Sequence, residues 1–267
     1  PTEAHNGYVH ILRQIHKLIE TMIAEVGVKP TTIGFGTPGT LDPITQTIKN
    51  SNSTALNGQS LKRDLESMLK TPVEMANDAN CFAVAEANIG IVPKVLPDAK
   101  TVFGVIMGTG VGGGIVVEGK NIMGRQGIAG EWGHNFLDES GGPCYCGRVG
   151  CVETILAGPS LERFYFEQTN AKKSLKDITA AHKAGSDTAA TKTIERLTTY
   201  FGKAIAPIVN ILDPDAIVLG GGVANIDYLY SEGTNEAAKY VFNSRLDTLF
   251  LKPKLGDSAG VFGAALL

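Results

Sequence analysis

The sequence predicts a mixed α/β protein with two lobes. Apolar runs typical of strands alternate with amphipathic helical segments, and some neighbouring strands are close enough in sequence to form hairpins. The chain has 267 residues, 43% hydrophobic and 19% charged, which is enough to bury a full core. We expect a smaller lobe at residues 1–98 and a larger lobe at residues 99–257, with residues 258–267 packing back on the smaller lobe.

Apolar periodicity and turn residues define the individual elements. Helical spacing predicts helices, in chain order, at residues 7–26, 61–69, 78–87, 159–166, 175–184, 189–210 and 226–241. Short apolar runs predict strands at residues 31–36, 73–75, 101–107, 115–122, 213–219 and 249–252. A hairpin and a polar loop are predicted within residues 41–61, and residues 93–98 are typical of a connector between lobes.

Two turns of the first lobe have the composition of ligand contacts. GTPG at residues 36–39 follows a strand, and its glycines let a backbone approach a ligand closely. Asn50 and Asn52 lie in the next loop, where their amides suit the hydroxyl groups of a polyol. Ordinary turn formation explains both patterns as well, because glycine and asparagine are common turn residues.

A carboxylate follows the strand predicted at residues 73–75. Asn77 and Asp78 stand where this strand ends and the next helix begins. An aspartate at a helix start is commonly only a cap, worth about 1 kcal/mol. Because α/β folds bind ligands at the carboxyl ends of their strands, Asp78 is also a candidate general base.

Two glycine-rich turns are candidates for nucleotide contacts. GTGVGGG at residues 108–114 matches G-x-G-x-x-G, but a dinucleotide fingerprint must open a helix and this one opens a strand. We therefore exclude a Rossmann site, while the clustered N–H groups of such a turn still suit a phosphate. Gly220-Gly221-Gly222 joins a strand to a predicted helix and is a weaker second candidate.

Residues 130–153, GEWGHNFLDESGGPCYCGRVGCVE, predict a zinc site. They contain His134, Cys144, Cys146 and Cys151, which form the ligand set of a closed, structural Cys₃His site. The alternative is a disulfide or free thiols, but Cys-x-Cys spacing is short for a disulfide and leaves one thiol unpaired. The fourth cysteine, Cys81, is predicted to face the core from an apolar helix.

Charge and composition exclude several functions. The net charge is −3 and no basic cluster occurs, which argues against a nucleic-acid surface. The apolar runs are too short to cross a bilayer, and we expect no membrane partner. No signal peptide is expected, and with three of the four cysteines in the zinc loop we expect a reducing, cytoplasmic location.

Six motifs together resemble the ROK family of sugar kinases. They occur in the family's order, namely GTPG, NDAN, GTGVGGG, GEWGH, CYCGRVGCVE and DPDAIVLGGG. The resemblance covers essentially the whole chain and implies an actin-like, hexokinase-type ATPase fold that phosphorylates a hexose with ATP and Mg²⁺. IKNSNSTALNGQ, ANDANC, AGEWGHN and PCYCG resemble the fructokinase/mannokinase branch most closely. This implies D-fructose as the preferred acceptor, with N-acetylglucosamine kinase and glucokinase as alternatives.

The resemblance also implies residue roles. Asp78 matches the catalytic base, and His134 matches a residue that serves zinc with one ring nitrogen and sugar with the other. The sugar-binding positions of the family match Gly39, Asn52, Asn77, Glu131, His134 and Glu153. Its nucleotide-binding positions match Gly108, Thr109, Gly110, Gly112, Gly221 and Gly222. We also expect a homodimer.

One motif of the family is not found in this sequence. The family begins with Asp-x-Gly-Gly-Thr, which binds ATP phosphates and magnesium, whereas this chain begins at Pro1 and continues into a helical pattern. We expect that the first strands are missing, and that these residues alone bind ATP poorly. Two other classes stay open: a ROK sugar-sensing repressor, and a zinc-stabilised sugar-binding module without catalysis. The presence of Asp78 favours the kinase.

Overall fold

Parallel strands lie at the centre of both halves of the fold. The structure is a computed structural model that describes residues 3–267. Its strands are β1 Ile33–Thr37, β2 Thr40–Leu41, β3 Ile48–Lys49, β4 Val73–Asn77, β5 Thr101–Met107, β6 Val111–Val117, β7 Lys120–Asn121, β8 Ala216–Gly220 and β9 Leu249–Leu251. Its helices are α1 Tyr8–Val26, α2 Leu61–Leu69, α3 Asp78–Asn88, α4 Val92–Val95, α5 Glu153–Leu156, α6 Gly158–Thr169, α7 Leu175–Lys183, α8 Thr188–Leu212, α9 Glu232–Ala238 and α10 Ala259–Ala264. The predicted α/β class is confirmed.

The first half is built on the parallel pair β1 and β4. Apolar side chains of α1 and α2, among them Leu65 at 0% exposure, form one core with β1 and β4. The register pairs Thr37 with Asn77, so both strands end at the same edge. The turn after β1 and the start of α3 are therefore neighbours, as parallel strand ends require.

The second half is a five-stranded mixed sheet in the order β7-β6-β5-β8-β9. Strands β5, β8 and β9 run parallel, whereas β6 and β7 are antiparallel additions. One face packs against a core that includes α8, and the opposite face packs against α3. Since α3 begins at the end of β4, it joins the first parallel pair to the second sheet.

Strand β6 begins earlier than predicted. It starts at Val111, so only residues 108–110 form the turn and three glycines lie inside the strand. A Cβ on Gly113 would lie 2.8 Å from the carbonyl oxygen of Gly130, and one on Gly114 would lie 2.8 Å from Asn80 Cα. These glycines are needed because main chain and α3 approach β6 from opposite sides, a requirement that local periodicity does not reveal.

The single helix predicted at residues 226–241 is wrong. The chain forms a 3₁₀ turn at Asp227–Leu229 and then α9 at Glu232–Ala238. Ser231 interrupts the helix with φ −115° and ψ −83°. A Cβ on Gly233 would lie 2.9 Å from the Phe201 ring, so packing against α8 fixes where α9 starts.

The carboxyl-terminal helix α10 packs on α3 and on β1. A Cβ on Gly34 would lie 1.7 Å from the Ala264 carbonyl oxygen, which shows how closely β1 and α10 approach. The predicted lobe boundary at residue 98 stays a prediction. Residues 1 and 2 of the predicted first lobe lie outside the described part of the chain.

A buried carboxylate fixes the segment that leads into α10. Glu86 of α3 is 0% exposed, and its oxygens accept N–H groups from Ile91, Lys254 and Leu255 at 2.8–2.9 Å. A buried charge is tolerated where hydrogen bonds satisfy it. Glu86 thus ties the chain end to the helix whose first residue is Asp78.

Within residues 3–267, no helix combines the length and the apolar character that crossing a membrane would require.

Candidate functional site

A cavity of about 1100 Å³ lies at the carboxyl ends of β1, β4 and β5. This is where open α/β sheets bind their ligands. Ten of the thirteen residues to which the family resemblance assigns sugar, base or nucleotide roles line it, namely Gly39, Asn52, Asn77, Asp78, Gly108, Thr109, Gly110, Gly112, Glu131 and His134. Five separate stretches of sequence thus meet in one cleft, which combines carboxylates, amides and a glycine turn.

Asp78 is the first residue of α3, and its side chain borders the cavity. Asn77 is the N-cap, because its side chain accepts the Ala79 N–H at 2.9 Å. Asp78 Oδ1 also accepts this N–H, at 2.8 Å. The carboxyl is open to the cleft yet surrounded by protein atoms, and this partial burial raises the pKa of Asp78. Since Asn77 already caps the helix, capping alone does not explain Asp78.

The turn after β1 and the following loop are fixed by side-chain amides. Asn77 Nδ2 donates to the Gly39 carbonyl oxygen at 3.2 Å. Gly39 has φ +73°, and a Cβ there would lie 2.5 Å from the Lys49 carbonyl oxygen. Ser51 and Asn57 exchange two hydrogen bonds of 2.9 Å, which hold the loop that presents Asn52. The predicted polyol-binding amide is therefore held in a defined loop.

The segment that carries Glu131 and His134 packs closely against the main chain of β6. Trp132, the only tryptophan, is 2% exposed and its Nε1–H donates to the Gly112 carbonyl oxygen at 2.9 Å. A Cβ on Gly133 would lie 2.0 Å from the Val111 carbonyl oxygen, so only glycine permits this contact. Burial of Trp132 thus fixes this segment, and Glu131 and His134 on either side of it line the cavity.

Carboxylates cluster on this side of the cleft. Burial raises the pKa of Glu131; the charge of His134 acts against this shift, and the charges of Asp78 and Glu153 add to it. Glu131 therefore lies within electrostatic reach of both Asp78 and the His134–Glu153 side. Several acceptors converge here, which is an arrangement suited to a ligand with many hydroxyl groups.

Hydrogen bonds within the turn and to Gly158 and Glu153 fix the glycine turn between β5 and β6. Gly108 N–H donates to the Gly110 carbonyl oxygen at 2.9 Å, and Gly158 N–H donates to the Gly108 carbonyl oxygen at 2.8 Å. Glu153 Oε2 accepts the Val111 N–H at 2.8 Å. A Cβ on Gly110 would lie 2.6 Å from that same oxygen. The turn has the glycines and the rigidity that a phosphate-binding main chain requires.

Three of the residues with predicted sugar or nucleotide roles do not line the cavity. Glu153 uses its carboxylate to hold the start of β6, and its predicted sugar contact stays a prediction. Gly221 and Gly222 follow β8, whose last residue Gly220 pairs with Ile106 of β5. Their turn therefore adjoins the Gly108 turn at the same sheet edge, outside the cavity itself.

Three thiols and one imidazole come together beside the cavity. The donor atoms of His134, Cys144, Cys146 and Cys151 all lie within 4.8 Å of one another. Cys144 Sγ is 3.6 Å from His134 Nδ1, and Cys146 Sγ is 3.6 Å from Cys151 Sγ. Tetrahedral zinc with bonds of about 2.3 Å to sulfur and 2.0 Å to nitrogen separates its ligands by about 3.6–3.8 Å. The predicted ligand set is therefore assembled with spacings that fit zinc.

The disulfide alternative does not describe this structure. All four cysteines are free thiols, and 3.6 Å between Cys146 and Cys151 far exceeds a disulfide bond of about 2.05 Å. Cys81 is fully buried on α3 and outside the cluster, as predicted. The base of the metal loop is also held by Arg163, which donates to the carbonyl oxygens of Gly141 and Thr154.

Sequence reasoning missed six polar residues that line the cavity: Ser51, Thr54, Asn57, Asn135, Tyr145 and Arg148. Tyr145 is 70% exposed and its hydroxyl lies 3.0 Å from His134 Nε2. Partial burial of the hydroxyl, with the charges of Glu153 and Glu131, raises the pKa of Tyr145 to about 12. Its position between Cys144 and Cys146, two of the predicted zinc ligands, was the available signal, because a loop that closes around a metal would fix the residue between its ligands.

The comparisons with known proteins all point to the same family. A model of the ROK family matches residues 2–267. An N-acetyl-D-glucosamine kinase of Aliivibrio fischeri is 35% identical over 277 residues, covering 100% of this chain and 89% of that protein. A ROK hexokinase from Thermus thermophilus superposes with a TM-score of 0.86 at 30% identity, covering 100% of this chain and 87% of that one. A ROK family glucokinase from Streptomyces griseus, in complex with glucose and AMPPNP, has a TM-score of 0.76 at 26% identity, covering 95% and 86%.

Proposed function

The chain belongs to the ROK family, and we propose that it is an ATP-dependent sugar kinase whose preferred acceptor is N-acetyl-D-glucosamine. The observation that carries the kinase assignment is Asp78. Its carboxylate borders the cleft, with a glycine turn and the polar residues Glu131 and His134 in the same cavity. The relatives reported above that act on sugars support the substrate class.

Asp78 acts as the general base in the proposed reaction. It accepts the proton of a sugar hydroxyl as that oxygen attacks the γ-phosphorus of ATP, and ADP leaves. The primary 6-hydroxyl is the least hindered acceptor, so we assign the transfer to it. Because Asn77 caps α3 and bonds to Gly39, the base is held rigidly. Phosphoryl transfer depends chiefly on such positioning and on electrostatics.

The glycine turn is the proposed contact for the ATP phosphates. The main-chain N–H groups of Thr109 and Gly110 and the Thr109 hydroxyl are suited to phosphate oxygens. Gly221 and Gly222, at the end of the adjacent strand, are suited to the nucleoside end of the same ligand. Magnesium, when bound with ATP, neutralises charge on the phosphates.

The four-donor cluster is the proposed structural zinc site. His134, Cys144, Cys146 and Cys151 would hold the ion in a closed shell, with no position open for catalysis. Zinc would fix the loop beside the cavity and hold His134 through Nδ1. His134 Nε2, which lies 3.0 Å from the Tyr145 hydroxyl at the cavity, would then have to exchange this contact for the sugar contact that the family resemblance implies.

Fructose, the acceptor implied by the sequence motifs, is not supported by the relatives found. The Aliivibrio fischeri relative is an N-acetyl-D-glucosamine kinase. This activity is one of the two alternatives to fructokinase that the family resemblance implies. The motifs IKNSNSTALNGQ and AGEWGHN therefore indicate a hexose site without selecting the hexose.

A substrate panel tests the proposed acceptor. We expect kcat/KM for N-acetylglucosamine to exceed the values for glucose, mannose and fructose by about tenfold or more, because buried polar groups penalise a ligand that leaves them unpaired. A coupled assay of ADP release measures this, with an inactive Asp78→Asn sample as the background. Preference for fructose would restore the fructokinase assignment. In the full-length protein, binding of sugar without turnover of any would favour the repressor or the non-catalytic module.

The pH profile tests the role of Asp78 independently. A general base works only when ionised, so kcat/KM falls as the pH drops through its pKa. Since burial raises that pKa, we expect the acid limb above the ordinary aspartate value of about 3.9. Rates of N-acetylglucosamine phosphorylation from pH 4 to 9, at saturating Mg-ATP, measure it. A profile that stays flat down to the ordinary value would contradict the assignment.

A further inference from the structure

One side-chain hydrogen bond links the first half of the fold directly to the second. Thr40 Oγ1 of β2 donates to the Gly127 carbonyl oxygen at 2.7 Å. Thr40 is 2% exposed and Gly127 is buried, so the bond is shielded from water. Within the described residues 3–267, it is the only hydrogen bond between residues 3–77 and residues 99–257. The polar contact between these two parts of the chain therefore depends on one hydroxyl group.

Gly127 belongs to a loop that we call the strap, defined as residues 122–130. The strap begins directly after β7, the edge strand that pairs with β6. Its end packs on β6, where a Cβ on Gly130 would lie 2.6 Å from the Gly113 carbonyl oxygen. Between these ends, Gly127 has φ +69°, and a Cβ there would lie 2.9 Å from the Leu41 carbonyl oxygen of β2. The strap is thus fixed on the second sheet and reaches β2 of the first half, and glycine at the contact allows this close approach.

The two residues that form this hydrogen bond adjoin the cavity. Gly39, directly before Thr40, lines the cavity. Ile128 and Glu131, which follow Gly127, line it as well. The hydrogen bond therefore links two walls of the cavity next to residues with proposed sugar contacts. Without it, the walls can separate, which loosens the sugar and admits water.

We propose that Thr40 is a positioning residue that, through Gly127, keeps the cleft closed around the sugar during phosphoryl transfer. Attack by the sugar oxygen on the γ-phosphorus of ATP forms the sugar phosphate and ADP, and Asp78 takes the proton. Attack by water breaks the same phosphorus–oxygen bond and yields ADP and inorganic phosphate. A closed cleft favours the sugar because it excludes water. The inference rests on the proposed function, because it assumes transfer from ATP to a hexose.

The test compares Thr40→Val and Thr40→Ser with the unchanged full-length protein. KM and kcat are measured for each hexose that the unchanged protein phosphorylates, from a panel of N-acetylglucosamine, glucose, mannose and fructose. The share of consumed ATP that appears as inorganic phosphate is measured at saturating hexose.

Thr40→Val keeps the shape of the side chain but leaves the Gly127 carbonyl oxygen unpaired. We expect the hexose KM to rise about three- to tenfold and the share of inorganic phosphate to rise about threefold or more. Thr40→Ser keeps the hydroxyl and should return both values to those of the unchanged protein. Thr45→Val removes an exposed hydroxyl that contacts only Thr47 on the same hairpin, so this matched control should change neither value.

Gly127→Ala tests the same contact from the strap. Alanine is strained at φ +69° and its Cβ meets the Leu41 carbonyl oxygen, so the strap must move away from β2. We expect a larger rise in the share of inorganic phosphate than in Thr40→Val. If Thr40→Val does not fold, as judged by its Tm, Gly127→Ala decides by the same measurement.

The outcomes separate this inference from the proposed function. Unchanged protein that phosphorylates none of the four hexoses overturns both, and this is seen before any variant is made. Efficient hexose turnover with an unaltered share of inorganic phosphate in folded Thr40→Val overturns the inference alone. Equal effects of Thr40→Val and Thr40→Ser also overturn it, because the hydroxyl would then not be the group that keeps water out of the cleft.

Discussion

Replacement of Asp78 by asparagine is expected to lower kcat for sugar phosphorylation by about 10²–10⁴, the usual contribution of a general base. The amide keeps the shape of the side chain and an oxygen that accepts the Ala79 N–H, but it cannot take a proton. Sugar affinity should stay within a few-fold, since the hydrogen-bonding geometry is retained. Steady-state kinetics and calorimetry of sugar binding measure the two effects separately.

Stability provides the control for Asp78→Asn. A carboxyl whose pKa is raised on folding stabilises the protein below its unfolded pKa, and this contribution is lost as the pH rises through the folded pKa. At pH 7 the ionised carboxylate of Asp78 is therefore less favourable in the folded protein than in the unfolded chain. The neutral amide of Asp78→Asn should give an equal or higher Tm. Asp98→Asn, an exposed change outside the cavity, should keep full activity. Near-normal turnover in Asp78→Asn would refute the base assignment.

Replacement of Cys151 by serine is expected to abolish zinc binding and to weaken sugar binding by about 10–100-fold, the usual effect of disturbing groups that orient a site. Cys151 is 1% exposed and does not line the cavity, so it affects sugar only through the loop. Cys146 is a less clean choice because it borders the cavity. Loss of zinc releases His134 and the residues around Tyr145 from their fixed positions.

Metal analysis after dialysis and calorimetry with N-acetylglucosamine measure these two effects. We expect one zinc per chain in the unchanged protein and none in Cys151→Ser. Cys81→Ala removes a buried thiol outside the cluster and should keep its zinc. Arg163 still holds the base of the loop in both variants, so the fold should survive. A zinc-free Cys151→Ser protein with unchanged sugar affinity would show that the metal does not position the site.

The metal cluster was the feature most accessible from sequence. Its four ligands lie between residues 134 and 151, and thiols and imidazoles in such a short segment with flexible glycines have few other uses. The position of Asp78 was also accessible, because a strand followed by Asn-Asp and an apolar helix identifies a strand end. The predicted homodimer and cytoplasmic location stay predictions, as does the lobe boundary.

By itself, the sequence determined the α/β class, most helices and ten of the residues that line the cleft, because these depend on local periodicity and on motifs at strand ends. The tertiary structure decided the rest. It decided that β6 begins inside the glycine run, since main chain and α3 approach from both sides. It broke the helix after residue 226, where packing on α8 overrides propensity. It also directed Glu153 to the Val111 N–H and Tyr145 to His134. Such contacts join residues far apart in the chain, and only the packed core sets their distances.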